Sequence, residues 1–195
     1  MSKTTKPMPK LLVTKFTELS IKEYIEKLDE IEYSNPSDQP VIIQIDSYGG
    51  SVTGLFMLLD RLETMPQPIV TYCSSKAMSA GAFLLAIAGD KGMRFASKDA
   101  SILVHEVQTG STGDIKNVED DLVYTKWLND TLLDRFAQSI GLKNSASIRR
   151  LIARKAIGHD LILTAQEALK LKIIDEIASI SLTPYSGWEI RKKIK

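Results

Sequence analysis

Only two histidines occur in the chain, His105 and His159. Histidine is the side chain best suited to moving protons near neutral pH, so this scarcity narrows the search for a general base. His105 follows the apolar run Ile102-Leu103-Val104 and so stands at the C-terminal end of a predicted strand, the edge of an α/β sheet where ligands bind. Ser79 lies in Ala77-Met78-Ser79-Ala80-Gly81-Ala82, where a loop is predicted to become a helix. The free N–H groups and partial positive charge of a helix N-terminus favour an oxyanion forming beside a nucleophilic hydroxyl. The small residues after Ser79 leave room for a substrate. The segment is not the G-x-S-x-G nucleophile elbow, because position 77 is alanine.

Two further features could complete such chemistry. Gly49-Gly50 follows a strand-like run and precedes a helix-like one, and adjacent glycines can turn backbone N–H groups towards an oxyanion or a phosphate. Asp160 precedes Leu161-Ile162-Leu163, and a carboxylate held beside a packed segment can fix a histidine tautomer. Each residue also has an ordinary structural role open to it: a half-buried histidine, an N-cap serine, a tight βα turn, a turn aspartate. Taken singly, the residues leave both readings open.

Other chemistries find less support. One cysteine, Cys73, permits no internal disulfide, and its apolar setting suits a buried, inert thiol. One cysteine and two distant histidines assemble no metal cluster, and no G-x-x-x-x-G-K-[ST] occurs. No cofactor is expected. A net charge of +1 gives no global pull towards nucleic acid or anionic membrane. The basic end Arg191-Lys192-Lys193-Ile194-Lys195 reads as a solvated terminus. No run approaches a membrane span, and Met1–Lys10 lacks the apolar core of a signal peptide, so a soluble, cytoplasmic protein is expected.

The elements that must position these residues alternate between strand and helix. Residues 1–10 read as a flexible N-terminus, with Leu11-Leu12-Val13 a first strand. Ser20 and Glu23 suggest a capping box opening a helix to about Tyr33. Val41–Ile45 reads as a strand covered on both faces, Val52–Met65 as a helix, and Ile69–Cys73 as a strand followed by a loop over 74–78. A helix runs from Ser79 to about Ala88, and short strands cover Met93–Ala96 and Ile102–His105. Ile115 to about Ile140 is a long amphipathic helix with Ile115, Val118, Leu122, Leu128, Leu132 and Phe136 near one stripe. A shorter helix spans about Ser145–Lys155, the Thr164/Glu167 capping box starts another, Ile173-Ile174 is a last strand, and 182–195 reads as irregular. The class is α/β with a mainly parallel sheet in a single domain over 11–181.

Four segments, in order, resemble the Clp protease proteolytic subunits of the wider Clp/crotonase superfamily. They are Ile43–Thr53 with its glycine turn, Ala77–Ala86 around Ser79, Lys91–Ala96 with Ile102–His105, and Asp160–Ala168 followed by Ile173-Ile174-Asp175. The resemblance covers roughly residues 41–178. It implies a fold of repeated β-β-α units with a projecting handle helix, over about 106–141, that joins two heptameric rings. It implies a serine endopeptidase in which Ser79 is the nucleophile, His105 the base and Asp160 its orienter. The N–H groups of Gly50 and Ala80 would form the oxyanion hole. Gly49, Gly50, Ser51 and Val52, with Gln108 and Thr109, would hold an extended peptide or unfolded protein as an added strand. A homo-oligomeric chamber and a Clp-type ATPase partner are implied as well.

The chain departs from the family pattern in places. Tyr48 stands where proline is usual, and Glu106-Val107 replaces Gln-Pro after the base. Gly158-His159 replaces an acidic-basic pair, the segment before Asp160 is longer, and the lead-in before Val41 is shorter. Three alternatives stay in view: a prohead-protease-like peptidase independent of an ATPase, which the short lead-in favours; a crotonase-like acyl-CoA enzyme, whose scaffold polarises a thioester with backbone N–H groups and needs no serine nucleophile; and a non-catalytic ring subunit, which the substitutions around the triad keep open.

Overall fold

The computed structural model describes residues 9–156, 158–181 and 191–193. In chain order the elements are β1 (Lys10–Val13), α1 (Glu18–Ser34), β2 (Val41–Ser47), α2 (Val52–Glu63), β3 (Ile69–Met78) and α3 (Ala80–Ala88). They continue with β4 (Arg94–Ala96), β5 (Ser101–Val104), α4 (Ile115–Ser139), α5 (Ser145–Lys155), β6 (Leu161–Thr164) and α6 (Ala165–Lys170). The chain closes with β7 (Glu176–Ile177), β8 (Ser179–Ser181) and β9 (Arg191–Lys193).

The main sheet runs β1-β2-β3-β4-β7, every pair parallel. β5 pairs in parallel with the far end of β3, and β6 lies antiparallel to β5. β-Branched runs favour this sheet: Val41-Ile42-Ile43 of β2 is buried on both faces, as expected. One face carries the large core, where Leu11, Val13, Ile43 and Ile45 meet Leu28, Leu55, Leu59 and Leu84. The other carries a small cluster of Ile42, Val70, Phe95 and Ala178, with Ile180 of β8 packed against it.

α4 is about 37 Å long at 1.5 Å per residue. Residues Ile115–Tyr124 are all exposed, or nearly so, whereas Leu128, Leu132, Leu133 and Phe136 are buried. The apolar stripe is therefore split. Its C-terminal half is core, and its N-terminal half projects with Ile115, Leu122 and Val123 uncovered. At the helix's C-terminal end Arg94, 6% exposed, clasps Asp175 with two bonds of 2.6 and 2.9 Å and also donates to the carbonyls of Ala86 and Ser139. This clamp ties β4 to α3, to α4 and to the approach to β7.

Several expected boundaries move. Thr17, not Ser20, caps α1: Ser20 is the third position of the box, its N–H donating to Thr17 Oγ1 at 3.2 Å while Thr17 N–H donates to Ser20 Oγ at 2.9 Å. β3 continues through the expected loop to Met78, because Lys76–Met78 gain β5 as a partner. β5 stops at Val104, so His105 lies one residue beyond it. The last strand expected at Ile173-Ile174 forms instead at Glu176–Ile177, opposite β4; Ile173 and Ile174 are buried turn residues of the core. Lys10 belongs to β1, and Arg191–Lys193, expected to be irregular, pairs with β8. The rest of the expected flexible N-terminus, 1–8, and of the irregular tail, 182–190 and 194–195, lies outside the described residues.

Candidate active site

Ser79 sits on the sharp turn between β3 and α3. Its backbone has φ 53 and ψ −123, one of two positive-φ non-glycine conformations among the described residues. A serine held there is strained by roughly 1–3 kcal/mol, and such strain gathers at functional turns. Three contacts hold it. Ser79 N–H donates to the Leu103 carbonyl at 2.8 Å, its own carbonyl accepts from Ala82 at 2.8 Å, and β3 enters the turn paired with β5. Although Ser79 is the N-cap of α3, its side chain makes no capping bond. The ordinary role open to this serine is thus not the one its hydroxyl fills.

His105 emerges from β5, half-buried, with Leu103 and the Ser79 turn two residues behind it. Its Nδ1 lies 2.5 Å from the Glu106 carbonyl oxygen. A carbonyl can only accept, so this contact is a hydrogen bond only where Nδ1 carries a proton. Asp160 precedes β6. The β5–β6 register ends with Val104 paired to Leu161, so His105 and Asp160 are the residues next beyond that last pair. Among the described residues neither the Ser79 hydroxyl nor the Asp160 carboxylate bonds the imidazole; the Glu106 carbonyl occupies Nδ1.

A cleft of about 290 Å³ joins these parts. It is lined by Ser79 and His105, by Gly50, Ala80, Val52 and Gln108, and by Tyr48, Phe83, Glu106, Val107 and Leu132. Ala80 is the first residue of α3, so its N–H has no partner within that helix. Gly50 forms a parallel bridge with Phe16 through Ser51, whose N–H donates to the Phe16 carbonyl at 2.9 Å.

Gly49 does not line the cleft but underlies it. At φ +102, a Cβ on Gly49 would stand 2.7 Å from Ser79 Cβ and 2.8 Å from the Met78 carbonyl oxygen. Ser51 caps α2, accepting from Gly54 N–H at 3.1 Å, and with Thr109 and Asp160 it too lies outside the lining.

Sequence reasoning did not assign Tyr48, Phe83, Glu106, Val107 or Leu132 to the site. Phe83 had a signal, standing one helical turn beyond Ser79; its ring meets Phe136 edge-on at 5.1 Å. Tyr48 had one in its place beside the glycines. Lys76 covers its ring at 4.6 Å and pairs with Asp46 at 2.6 Å. Leu132 had none, since only tertiary packing brings α4 here. Cys73 is buried in the core, and that burial pushes its thiol up to about 12, which leaves it inert at neutral pH. Among the described residues no group of three or more His, Cys, Asp or Glu is placed to hold a metal, and no helix is long and apolar enough to cross a membrane.

A parallel α/β sheet whose strand ends bring a strained serine and a histidine to one cleft has the parts of a serine-type hydrolase. Comparison with known proteins carries this further: the Clp protease profile matches residues 11–181, and the chain belongs to that family. It is 31% identical over 165 residues to the ATP-dependent Clp protease proteolytic subunit 1 of Chlamydia trachomatis serovar D, covering 83% of this chain and 81% of that one. It is 30% identical over 163 residues to the protein of the same name from Protochlamydia amoebophila, covering 81% and 74%. The chain is accordingly a serine endopeptidase by family, and the expected ClpP-like fold class is the one observed.

Proposed function

We propose that this chain cleaves peptide bonds through Ser79, His105 and Asp160, as one subunit of a homo-oligomeric chamber in the cytoplasm that a Clp-type ATPase feeds. The observation that carries the reading is the Ser79 turn: a strained residue whose hydroxyl caps nothing and which shares a cleft with His105.

The chemistry follows from the positions. An extended peptide lies along Gly49–Val52 and Gln108–Thr109 as an added strand. Ser79 Oγ attacks the peptide carbonyl carbon while His105 Nε2 takes the hydroxyl proton. The carbonyl π pair moves onto oxygen, and the N–H groups of Gly50 and Ala80 receive that oxyanion, an effect worth about 3 kcal/mol per donor. The C–N bond then breaks, and His105 returns its proton to the leaving amine. Water attacks the acyl-enzyme with His105 again as base, releasing the acid and restoring Ser79. Asp160 stabilises the imidazolium formed on the way.

Two features support an assembly. The projecting half of α4 leaves apolar side chains without cover, among them Trp127 at 57% exposed and stacked on Tyr124. The relatives named above are proteolytic subunits of an ATP-dependent protease, and this chain has no P-loop of its own. Hydrolysis of a small peptide ester by the assembled wild type and by Ser79→Ala tests the catalytic part, with a loss of about 10⁴-fold or more expected. Retention on an immobilised Clp ATPase tests the partnership.

A further inference from the structure

The loop after His105 is held by contacts that the triad reading leaves unused. Val107 N–H donates to Asn129 Oδ1 at 2.9 Å, and Asn129 Nδ2 donates to Glu106 Oε2 at 2.6 Å. Arg149 of α5 donates to the same Oε2 at 3.0 Å and pairs with Asp130 at 2.5 Å. Asn129 is 8% exposed on α4, and its two partners fix the amide orientation: the N–H needs the oxygen and the carboxylate needs the nitrogen.

These bonds grip one rigid unit. The Glu106 carbonyl and the Val107 N–H belong to the same planar peptide group and point in opposite directions. Asn129 holds the N–H side, so the carbonyl side is turned to His105 Nδ1, where it sits at 2.5 Å. The grip requires an N–H at position 107, which valine has and proline would lack.

We propose that Asn129, with Glu106, is a positioning residue for the candidate base. It locks the 106–107 peptide so that the Glu106 carbonyl keeps His105 in the Nδ1–H tautomer, with Nε2 free towards Ser79, before Asp160 engages. The proposal deepens the function given above and rests on it for its catalytic consequence. The tautomer itself does not depend on that function.

The test is magic-angle-spinning NMR of the full chain labelled with ¹⁵N-histidine, in its natural assembly. With two histidines in the sequence, His159→Gln assigns the signals. Wild type and Asp160→Ala are expected to show His105 as Nδ1–H. Asn129→Leu, close in volume, is expected to shift it towards Nε2–H and to slow fluorophosphonate labelling of Ser79 by about tenfold or more. Arg149→Gln cuts one of the two ties on Glu106 and should shift the ring less, in the same direction, which covers the case where Asn129→Leu does not fold. An Nε2–H ring in wild type, a change of tautomer caused by Asp160→Ala, or an unmoved Nδ1–H ring in the folded variants overturns the inference. Failure of the wild type to label, with the tautomer behaving as stated, would count against the catalytic function and leave the inference standing.

Discussion

The backbone N–H of Ser79 donates to the carbonyl of Leu103 at 2.8 Å, so the turn bearing the nucleophile is bonded directly to the strand that delivers His105. The turn bearing Ser79 and the end of β5 are thereby held together by a sheet hydrogen bond, with His105 one residue beyond that end.

Gly49 is where this turn has least tolerance. Any Cβ there meets Ser79 Cβ and the Met78 carbonyl below 3 Å, in a backbone conformation that disfavours side chains. Gly49→Ala is expected to lower stability by about 2 kcal/mol or more and to reduce fluorophosphonate labelling of Ser79 at least about tenfold. Gly92→Ala is the control: its φ is +86 but nothing lies within 4 Å. It should cost about 1 kcal/mol and leave labelling unchanged. Denaturant melts and labelling rates on the two variants check both.

Asp175 should govern part of the acid sensitivity. Burial pushes its carboxyl up, but the bonds and charge of Arg94 outweigh that and hold it below the ordinary carboxylate value. A lowered folded-state value means the stabilisation is present above the unfolded carboxylate range, near pH 4, and is lost as pH falls through the folded value. Asp175→Asn is expected to cost about 3 kcal/mol at pH 7, since it leaves Arg94 buried with its charge unpaired. The cost should shrink below about pH 4, where the wild type loses the same interaction. Denaturant midpoints measured from pH 7 down to the lowest pH that keeps the wild type folded check the sign.

The exposed half of α4 should report assembly. Leu122→Glu with Trp127→Glu places charge on a face that is 47% and 57% exposed at those residues, so the subunit fold should keep its melting behaviour. Light scattering is expected to show a smaller species than wild type at the same micromolar concentration. Identical masses for the two would remove α4 from the interface.

How much of this was legible in the sequence depends on whether the signal was local. The α/β alternation, the Thr164/Glu167 cap and the bounds of α5 follow from residues near one another, and they appear as read. The α1 cap slipped because Thr17 and Ser20 both suit the role, and only packing selects between them. The end of β3 was hidden because Ser74-Ser75-Lys76 is polar; its strand character comes from β5, some 25 residues on. Ser79, His105, Gly50 and Ala80 were legible as site candidates and do line one cleft. Two parts were not legible. Leu132 arrives by tertiary packing, and the contact on Nδ1 is a backbone carbonyl, which side-chain chemistry does not announce.

Peptide mapping of the assembled chain after reaction with a fluorophosphonate tests the central claim most directly. One adduct is expected, on Ser79, lost in Ser79→Ala together with ester hydrolysis while the variant melts as wild type does. An assembled wild type that takes up no label at Ser79, or a Ser79→Ala chain that still hydrolyses the ester at the wild-type rate, would contradict it.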